Sequence, residues 1–364
     1  MKRRSFLAGV GASIGVGSID LPRAAAQPAA EAPPNVTTAT GLPRRTLGRT
    51  GAEISIVGFP GLALIHHEQP ECDAGIRKAF DHGVNYFDVA PTYGNGDAEK
   101  KMGVGLQGVE RDKIFLSCKT KRRDRQGAWE ELERSLTRLK TDRFDLYQLH
   151  CLKHPDEVAE ALGKGGAMEA IVEAQKEGKV KHIGFSAHTT KAAMAALNGF
   201  PFDTVMFPIN FVEYYTIGFG KPVLKLAQEK GAAAISIKPV SRGRWPEGME
   251  RTRRWWYRPV EDPEEVGLAM RFTLGLPGVV TGIPISFLDI LDRVIEASRV
   301  DRPNTEAEAQ RVREIAATCE SVFRREEQQV AYDGRPTGPV YPDSPHECMQ
   351  SLAATHERRP CGRA

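Results

Sequence analysis

Gly83-Val84-Asn85-Tyr86-Phe87-Asp88-Val89-Ala90-Pro91-Thr92-Tyr93-Gly94 is the stretch on which the rest of the chain turns. Val84, Tyr86 and Phe87 are strand formers. Pro91 and Gly94 stop any regular element soon after. The stretch therefore reads as a short buried strand that ends in a functional turn. Asp88 closes the strand and Tyr93 follows five residues later, across a tight loop. A carboxylate and a phenol held this close after a buried strand suit an acid/base site. A turn-forming Asp followed by a packing Tyr explains the same stretch, and later segments decide between the two.

Working outward, the pattern alternates. Residues 44–55 hold two short apolar pieces around Leu47-Gly48-Arg49-Thr50-Gly51, which suggests a β-hairpin, and 54–58 reads as a first buried strand. Further strands are expected at 86–89, 114–117, 145–149, 182–185, 204–207, 233–237 and 279–283. Helical runs follow them at 72–82, 98–106, 126–139, 167–177, 190–197, 221–230, 263–273 and 288–298. Strands alternating with helices mean βαβ units and a parallel sheet. Eight such units predict an α/β chain whose core is a closed (β/α)8 barrel, or TIM barrel, over residues 44–300. An open doubly wound sheet fits less well, because no G-x-G-x-x-G follows the first strand. Residues 301–364 form a C-terminal extension: a polar helix over 303–328, then a Pro-rich tail expected to wrap the surface.

Barrel chemistry gathers where strands end. Lys119, His150 and Ser186 stand at the ends of successive strands after Asp88. Each alone has a bland reading. Their convergence with Asp88 and Tyr93 on one barrel face is hard to explain by packing.

The start of the chain reads as an address. Lys2, Arg3 and Arg4 precede a modestly apolar, Gly-rich run that ends at Ala24-Ala25-Ala26, too short to span a bilayer. Arg3-Arg4-Ser5-Phe6-Leu7 resembles a twin-arginine signal, so residues 1–26 are expected to direct a folded protein to the periplasm and to be removed, leaving no stable membrane anchor. An ordinary secretory signal is the alternative. Residues 27–43, rich in Pro, Ala and Thr, read as a flexible linker. The first 26 residues carry four cations and one anion, so the formal charge of +3 falls to zero without them. No basic patch for nucleic acid remains. No pair among the six cysteines has C-x-x-C spacing, which argues against zinc and iron–sulfur sites. Cys319, Cys348 and Cys361 are candidates for disulfides in an oxidising compartment. His66-His67 follows the first strand; adjacent loop histidines are more often solvated than metal-bound, so no metal is expected. The 245–257 loop mixes Trp245, Trp255, Trp256 and Tyr257 with Arg251, Arg253 and Arg254. It reads as a lid or pocket wall, as a partner-docking loop, or as Trp packing on the barrel top.

Over residues 44–300 the chain resembles the aldo-keto reductases. The resemblance is carried by Leu47-Gly48-Arg49-Thr50-Gly51, Asn85-Tyr86-Phe87-Asp88 through Tyr93-Gly94, Lys119, Leu149-His150 and Ile183-Gly184-Phe185-Ser186. It implies a catalytic set of Asp88, Tyr93, Lys119 and His150, and a small-molecule carbonyl or alcohol substrate. The chemistry is coherent. A free phenol has a pKa near ~10, and a neighbouring ammonium favours the phenolate. Lys119 would supply that charge, Asp88 would hold Lys119, and His150 would orient the carbonyl. Hydride would come from a nicotinamide, since no side chain can donate one.

The resemblance also implies NADP as cofactor, with NAD as the other candidate, held by Ser186, Asn210, Lys238, Ser241, Arg242, Gly243, Pro284 and Ser286. Here the chain departs from the family. Ala187 and Met206 replace an Asn and a Gln that hold the carboxamide, and Ile237 replaces a stacking Tyr. Ile285 and Leu291 stand where basic residues usually grip a 2′-phosphate; Arg293 is offset from them. The expectation is therefore an exported oxidoreductase of aldo-keto reductase type. The second reading is a catalytically weakened barrel that binds a ligand or partner in the periplasm.

Overall fold

The computed structural model describes residues 41–331. The signal over 1–26, most of the 27–43 linker and the Pro-rich tail lie outside the described residues. So do Cys348 and Cys361; Cys72, Cys118, Cys151 and Cys319 are free thiols.

The chain enters through an antiparallel hairpin, β1 (Arg44–Thr46) and β2 (Glu53–Ser55). Gly48 and Gly51 both adopt positive φ in its turn, and a Cβ at Gly48 would lie 3.0 Å from that of Ala233. Eight parallel strands follow: β3 (Gly58–Pro60), β4 (Tyr86–Asp88), β5 (Phe115–Thr120), β6 (Phe144–Leu152), β7 (Val180–Ala187), β8 (Thr204–Pro208), β9 (Ala233–Ile237) and β10 (Val279–Ile283). Each pairs with its sequence neighbour from β3 to β10. The Gly282 N–H donates to the Ile56 carbonyl at 3.0 Å and closes the ring. This is the expected (β/α)8 barrel with its N-terminal hairpin.

The first barrel strand differs from the sequence expectation. Ile54 belongs to the hairpin, paired with Arg45, and the barrel strand begins at Gly58. Ile54 is buried for another reason. It and Leu47 pack on Tyr86, Phe115, Leu146 and Ile235, so the hairpin plugs one end of the barrel.

The outer layer holds α1 (Gln69–Asp81), α2 (Asp97–Gly105), α3 (Arg125–Leu139), α4 (Pro155–Leu162), α5 (Ala167–Lys176), α6 (Thr190–Gly199), α7 (Phe211–Thr216), α8 (Lys221–Lys230), α9 (Pro263–Leu274) and α10 (Leu288–Ala297). The short α4 and α7 were not expected. His154 Nδ1 accepts from the Asp156 N–H to cap α4, and Asn210 Oδ1 accepts from the Glu213 N–H to cap α7. Each such cap satisfies a backbone donor that has no partner within its helix. Among the described residues the C-terminal extension holds two helices where one was expected, α11 (Glu306–Ala317) and α12 (Arg324–Ala331). The chain breaks between them because Glu213, fully buried, accepts hydrogen bonds from the Ser321 hydroxyl and, at 2.7 Å, from the Val322 N–H. Phe323 then packs between Phe219 and His188. No described helix is long and apolar enough to cross a membrane.

Candidate active site

Barrel register places the four catalytic candidates. Asp88 pairs with Ser117 across β4 and β5, and Lys119 pairs with Gln148 across β5 and β6. Residues two apart on a strand share a face. Lys119 thus lies two residues beyond the partner of Asp88, and His150 two beyond the partner of Lys119. Barrel strands tilt by roughly 35–45°, and this stagger keeps the three inward side chains level at the mouth. Tyr93 comes from the turn after β4, where Gly94, Asn95 and Gly96 all adopt positive φ. Gly and Asn are the residues that enter that region most readily.

The geometry is that of a buried ion pair beneath a phenol. The Lys119 ammonium donates to Asp88 Oδ2 at 2.5 Å and to the Val89 carbonyl at 3.0 Å, and it lies 3.4 Å from the Tyr93 hydroxyl. Lys119 is fully buried and Asp88 nearly so. Burial pushes the Asp88 carboxyl above its ordinary range, and the Lys119 charge and hydrogen bond oppose that rise. The His150 ring meets Tyr93 edge-on at 5.8 Å, and the Thr92 hydroxyl lies 3.5 Å from His150 Nδ1. Arg123 holds the same strand end: it donates to the His150 carbonyl at 2.8 Å and pairs with Glu157 at 2.8 Å.

All four catalytic candidates line one cavity of ≈ 60 Å³ at the barrel mouth. At roughly 15 Å³ per water, that holds about four waters. Ser186, Lys238, Pro284 and Ser286 line it too, as do Met206 and Ile237. Ser186 Oγ accepts from the Cys151 N–H at 2.7 Å, which leaves its own proton to donate. The other expected cofactor residues are occupied nearby. Asn210 caps α7, and its Nδ2 is buried with no partner among the described residues. Ser241 accepts from the Gly243 N–H at 3.2 Å, and Arg242 is ion-paired to Glu265. Arg293 donates to the Glu261 carbonyl and pairs with Asp289.

The loop after β9 folds back on itself. The Arg242 N–H donates to the Arg258 carbonyl and the Arg258 N–H to the Gly243 carbonyl, both at 2.8 Å. That pairing returns Trp255, Trp256 and Tyr257, all buried, to the cavity wall. Trp255 also packs edge-on against Phe287 and His66. The aromatic loop is therefore both packing and pocket wall. His66 stacks on Phe287 at 5.2 Å, and no three His, Cys, Asp or Glu among the described residues group as a metal site.

Sequence reasoning missed His188, which lies two residues past Ser186 and lines the same cavity. Strand periodicity alone could have found it. It also missed Cys151, whose Sγ lies 3.0 Å from His188 Nδ1.

A model of the aldo/keto reductase family matches residues 67–316, more than two thirds of the chain. The chain belongs to the aldo/keto reductase family. An uncharacterised oxidoreductase of Bacillus subtilis is 33% identical over 156 residues, covering 40% of this chain and 48% of its own length. The chain spans about half the length of such curated relatives. Among solved structures, the holo form of an aldo-keto reductase from Bacillus halodurans has a TM-score of 0.62 at 24% identity, covering 77% of this chain and 99% of its own. An aldo-keto reductase from Klebsiella pneumoniae, solved in complex with NADPH, has a TM-score of 0.56 at 21% identity, covering 73% and 92%. At these identities the structural likeness concerns the fold.

Proposed function

We propose that this protein catalyses reversible hydride transfer between a nicotinamide nucleotide and a carbonyl or alcohol substrate, with Tyr93 as general acid and base. One observation carries the reading: the Lys119 ammonium, held at 2.5 Å by Asp88, lies 3.4 Å from the Tyr93 hydroxyl. A phenol gives up its proton more readily beside a fixed positive charge. In the reducing direction Tyr93 donates its proton to the carbonyl oxygen. The phenolate left behind is stabilised by Lys119, and Asp88 keeps that ammonium in place. His150 orients the carbonyl from the next strand. Trp255, Trp256 and Tyr257 keep water from the reacting centre, where each electrostatic contact is then stronger.

The donors present fit a nicotinamide nucleotide. Ser186 offers a hydroxyl proton, Ser286 a hydroxyl and Lys238 an ammonium, all on the cavity wall. When bound, the nucleotide supplies the hydride that no side chain can. NADP, with NAD as the other candidate, is the cofactor this reading takes; the NADPH complex of the Klebsiella pneumoniae neighbour supports it. The twin-arginine start at Arg3-Arg4 supports export to the periplasm as a folded protein.

The test is Tyr93→Phe in protein lacking residues 1–26, with NADPH oxidation followed against a panel of aldehydes. Folding survives and turnover falls by at least ~10²-fold, the scale of lost general-acid catalysis. Undiminished turnover would remove Tyr93 from its role.

A further inference from the structure

The turn that carries Tyr93 differs from the barrel around it. Gly94, Asn95 and Gly96 all hold positive φ, and Gly94 and Asn95 are exposed. Such sparsely populated conformations persist only where their surroundings fix them. Yet the phenol has to stay 3.4 Å from an ammonium that sits on another element, β5. The contacts that join turn and strand lie outside the barrel wall, behind both.

α2 leaves the turn at Asp97 and carries Glu99 in its first turn. Glu99 is fully buried, and an acid is rarely so without a partner. Its Oε2 accepts from Arg138 Nη1 at 2.9 Å, and its Oε1 accepts from Cys118 Sγ at 3.6 Å. Cys118 precedes Lys119 on β5. Successive strand residues face opposite sides, so Lys119 points into the barrel and Cys118 out toward α2. Burial, with the Glu99 charge, pushes the Cys118 thiol well above its ordinary range, so it keeps its proton and donates. Tyr147 on β6 also faces this carboxylate, and burial keeps its phenol protonated.

Arg138 stands in the last turn of α3 and reaches back to the Tyr93 turn. A Cβ on Gly96 would collide with its guanidinium, and a Cβ on Gly103 with its backbone carbonyl. The guanidinium thus lies against the buried end of the turn while it binds Glu99. One carboxylate joins the turn that presents the phenol to the strand that presents the ammonium.

We propose that Glu99 and Arg138 are positioning residues for Tyr93 and Lys119: they fix the turn against β5 and hold the phenol within reach of the ammonium. Neither lines the cavity, so both act through the residues they hold. The inference rests on the reading of Tyr93 as the acid and base of hydride transfer. A buried pair that serves stability alone is the competing explanation.

The experiment compares wild type with Glu99→Gln, Arg138→Met, Arg138→Lys and the double variant Glu99→Gln with Arg138→Met, all lacking residues 1–26. Ultraviolet titration of tyrosinate, taken as the difference between each protein and its Tyr93→Phe counterpart, reads the Tyr93 phenol without turnover. Aldehyde reduction with NADPH reads kcat and KM, and urea unfolding reads stability. For Glu99→Gln the direction discriminates. Loss of an anion, acting by its field alone, favours the phenolate and moves the titration to lower pH. Release of Tyr93 from Lys119 moves it to higher pH. Glu99→Gln should move the Tyr93 titration up by about one unit and cut kcat ~10-fold with KM unchanged, the same free energy read in two ways. Arg138→Met should do the same, and the double variant no more than either, because the two residues act as a unit. Arg138→Lys keeps the cation and should stay near wild type. A Tyr93 titration that stays in place or moves down in Glu99→Gln overturns the proposal, however far stability falls. A loss confined to KM also overturns it. If wild type reduces no aldehyde, the hydride-transfer reading fails while the titration still decides the positioning. Should either single variant not fold, the double variant, which leaves no lone buried charge, takes its place. Failure of all three to fold assigns the pair to stability and overturns the proposal.

Discussion

Replacing Lys119 by Met tests the buried ion pair through its pH dependence. The substitution keeps the stem and removes the charge, leaving Asp88 inside the barrel mouth without the ammonium that sits 2.5 Å away. Breaking one partner of a buried pair costs about 3–5 kcal/mol when the remaining charge stays ionised. Asp88 can avoid that cost by taking a proton. Burial already pushes its carboxyl upward against the Lys119 charge, and without that charge the rise is greater. The sign follows from linkage. A folded-state pKa above the unfolded value of ~3.9 means the folded protein binds more protons, so stability falls as pH rises between the two values, by at most ~1.4 kcal/mol per unit. Relative to wild type, Lys119→Met should be only slightly destabilised near pH ~5 and should lose about 3–5 kcal/mol near pH ~8, an interval that two to three units of slope can supply. Asp88→Asn combined with Lys119→Met removes the titrating group, so its stability should change little more with pH than that of wild type and should exceed the single variant's near pH ~8. Urea unfolding followed by Trp fluorescence at three pH values measures all of this. A loss of the same size at every pH, or a double variant no more stable than the single one near pH ~8, would refute the reasoning.

Glu213 gives a second pH signature. Burial raises its carboxyl from 4.5 to about 7, so its contribution is fully present below pH ~4.5 and is lost as pH rises through ~7, a change of about 3 kcal/mol. Glu213→Gln should flatten that part of the unfolding profile, and an unaltered slope would remove Glu213 as its source. Discrimination between NADPH and NADH should be weak, below ~1.4 kcal/mol or tenfold, because Ile285 and Leu291 are buried apolar residues and Arg242 and Arg293 are engaged by Glu265 and Asp289. A hundredfold, salt-sensitive preference for NADPH in titrations would show that an arginine does reach the 2′-phosphate. Arg3→Lys with Arg4→Lys keeps the charge and should hold the protein in the cytoplasm; periplasmic recovery of the double variant would mean a signal of another kind.

What could be read from the chain alone follows from which interactions are local. Asp88, Lys119 and His150 were legible because each ends an apolar strand, and strand periodicity fixes the face a residue takes. Their stagger is not local. It comes from barrel shear, which no single segment encodes. The first strand was misplaced because Ile54 is as apolar as a barrel residue, yet its partner is Arg45 in a hairpin that plugs the barrel. The break between α11 and α12 was hidden because its cause, Glu213, lies 108 residues before Ser321.

The His188 cluster was missed for a related reason. Cys151 and His188 look ordinary in sequence, one beside the candidate His150 and the other after a strand. Their pairing depends on one extra residue in β6 that shifts its register against β7. The same local departure from strand geometry brings the Cys151 N–H onto Ser186 and the Cys151 thiol onto His188. Family resemblance directs attention to residues the family shares, and at Ala187, Met206 and Ile237 this chain reads as loss. The structure shows His188 and Lys238 on that part of the cavity wall, with Lys238 Nζ 3.3 Å from His188 Nε2.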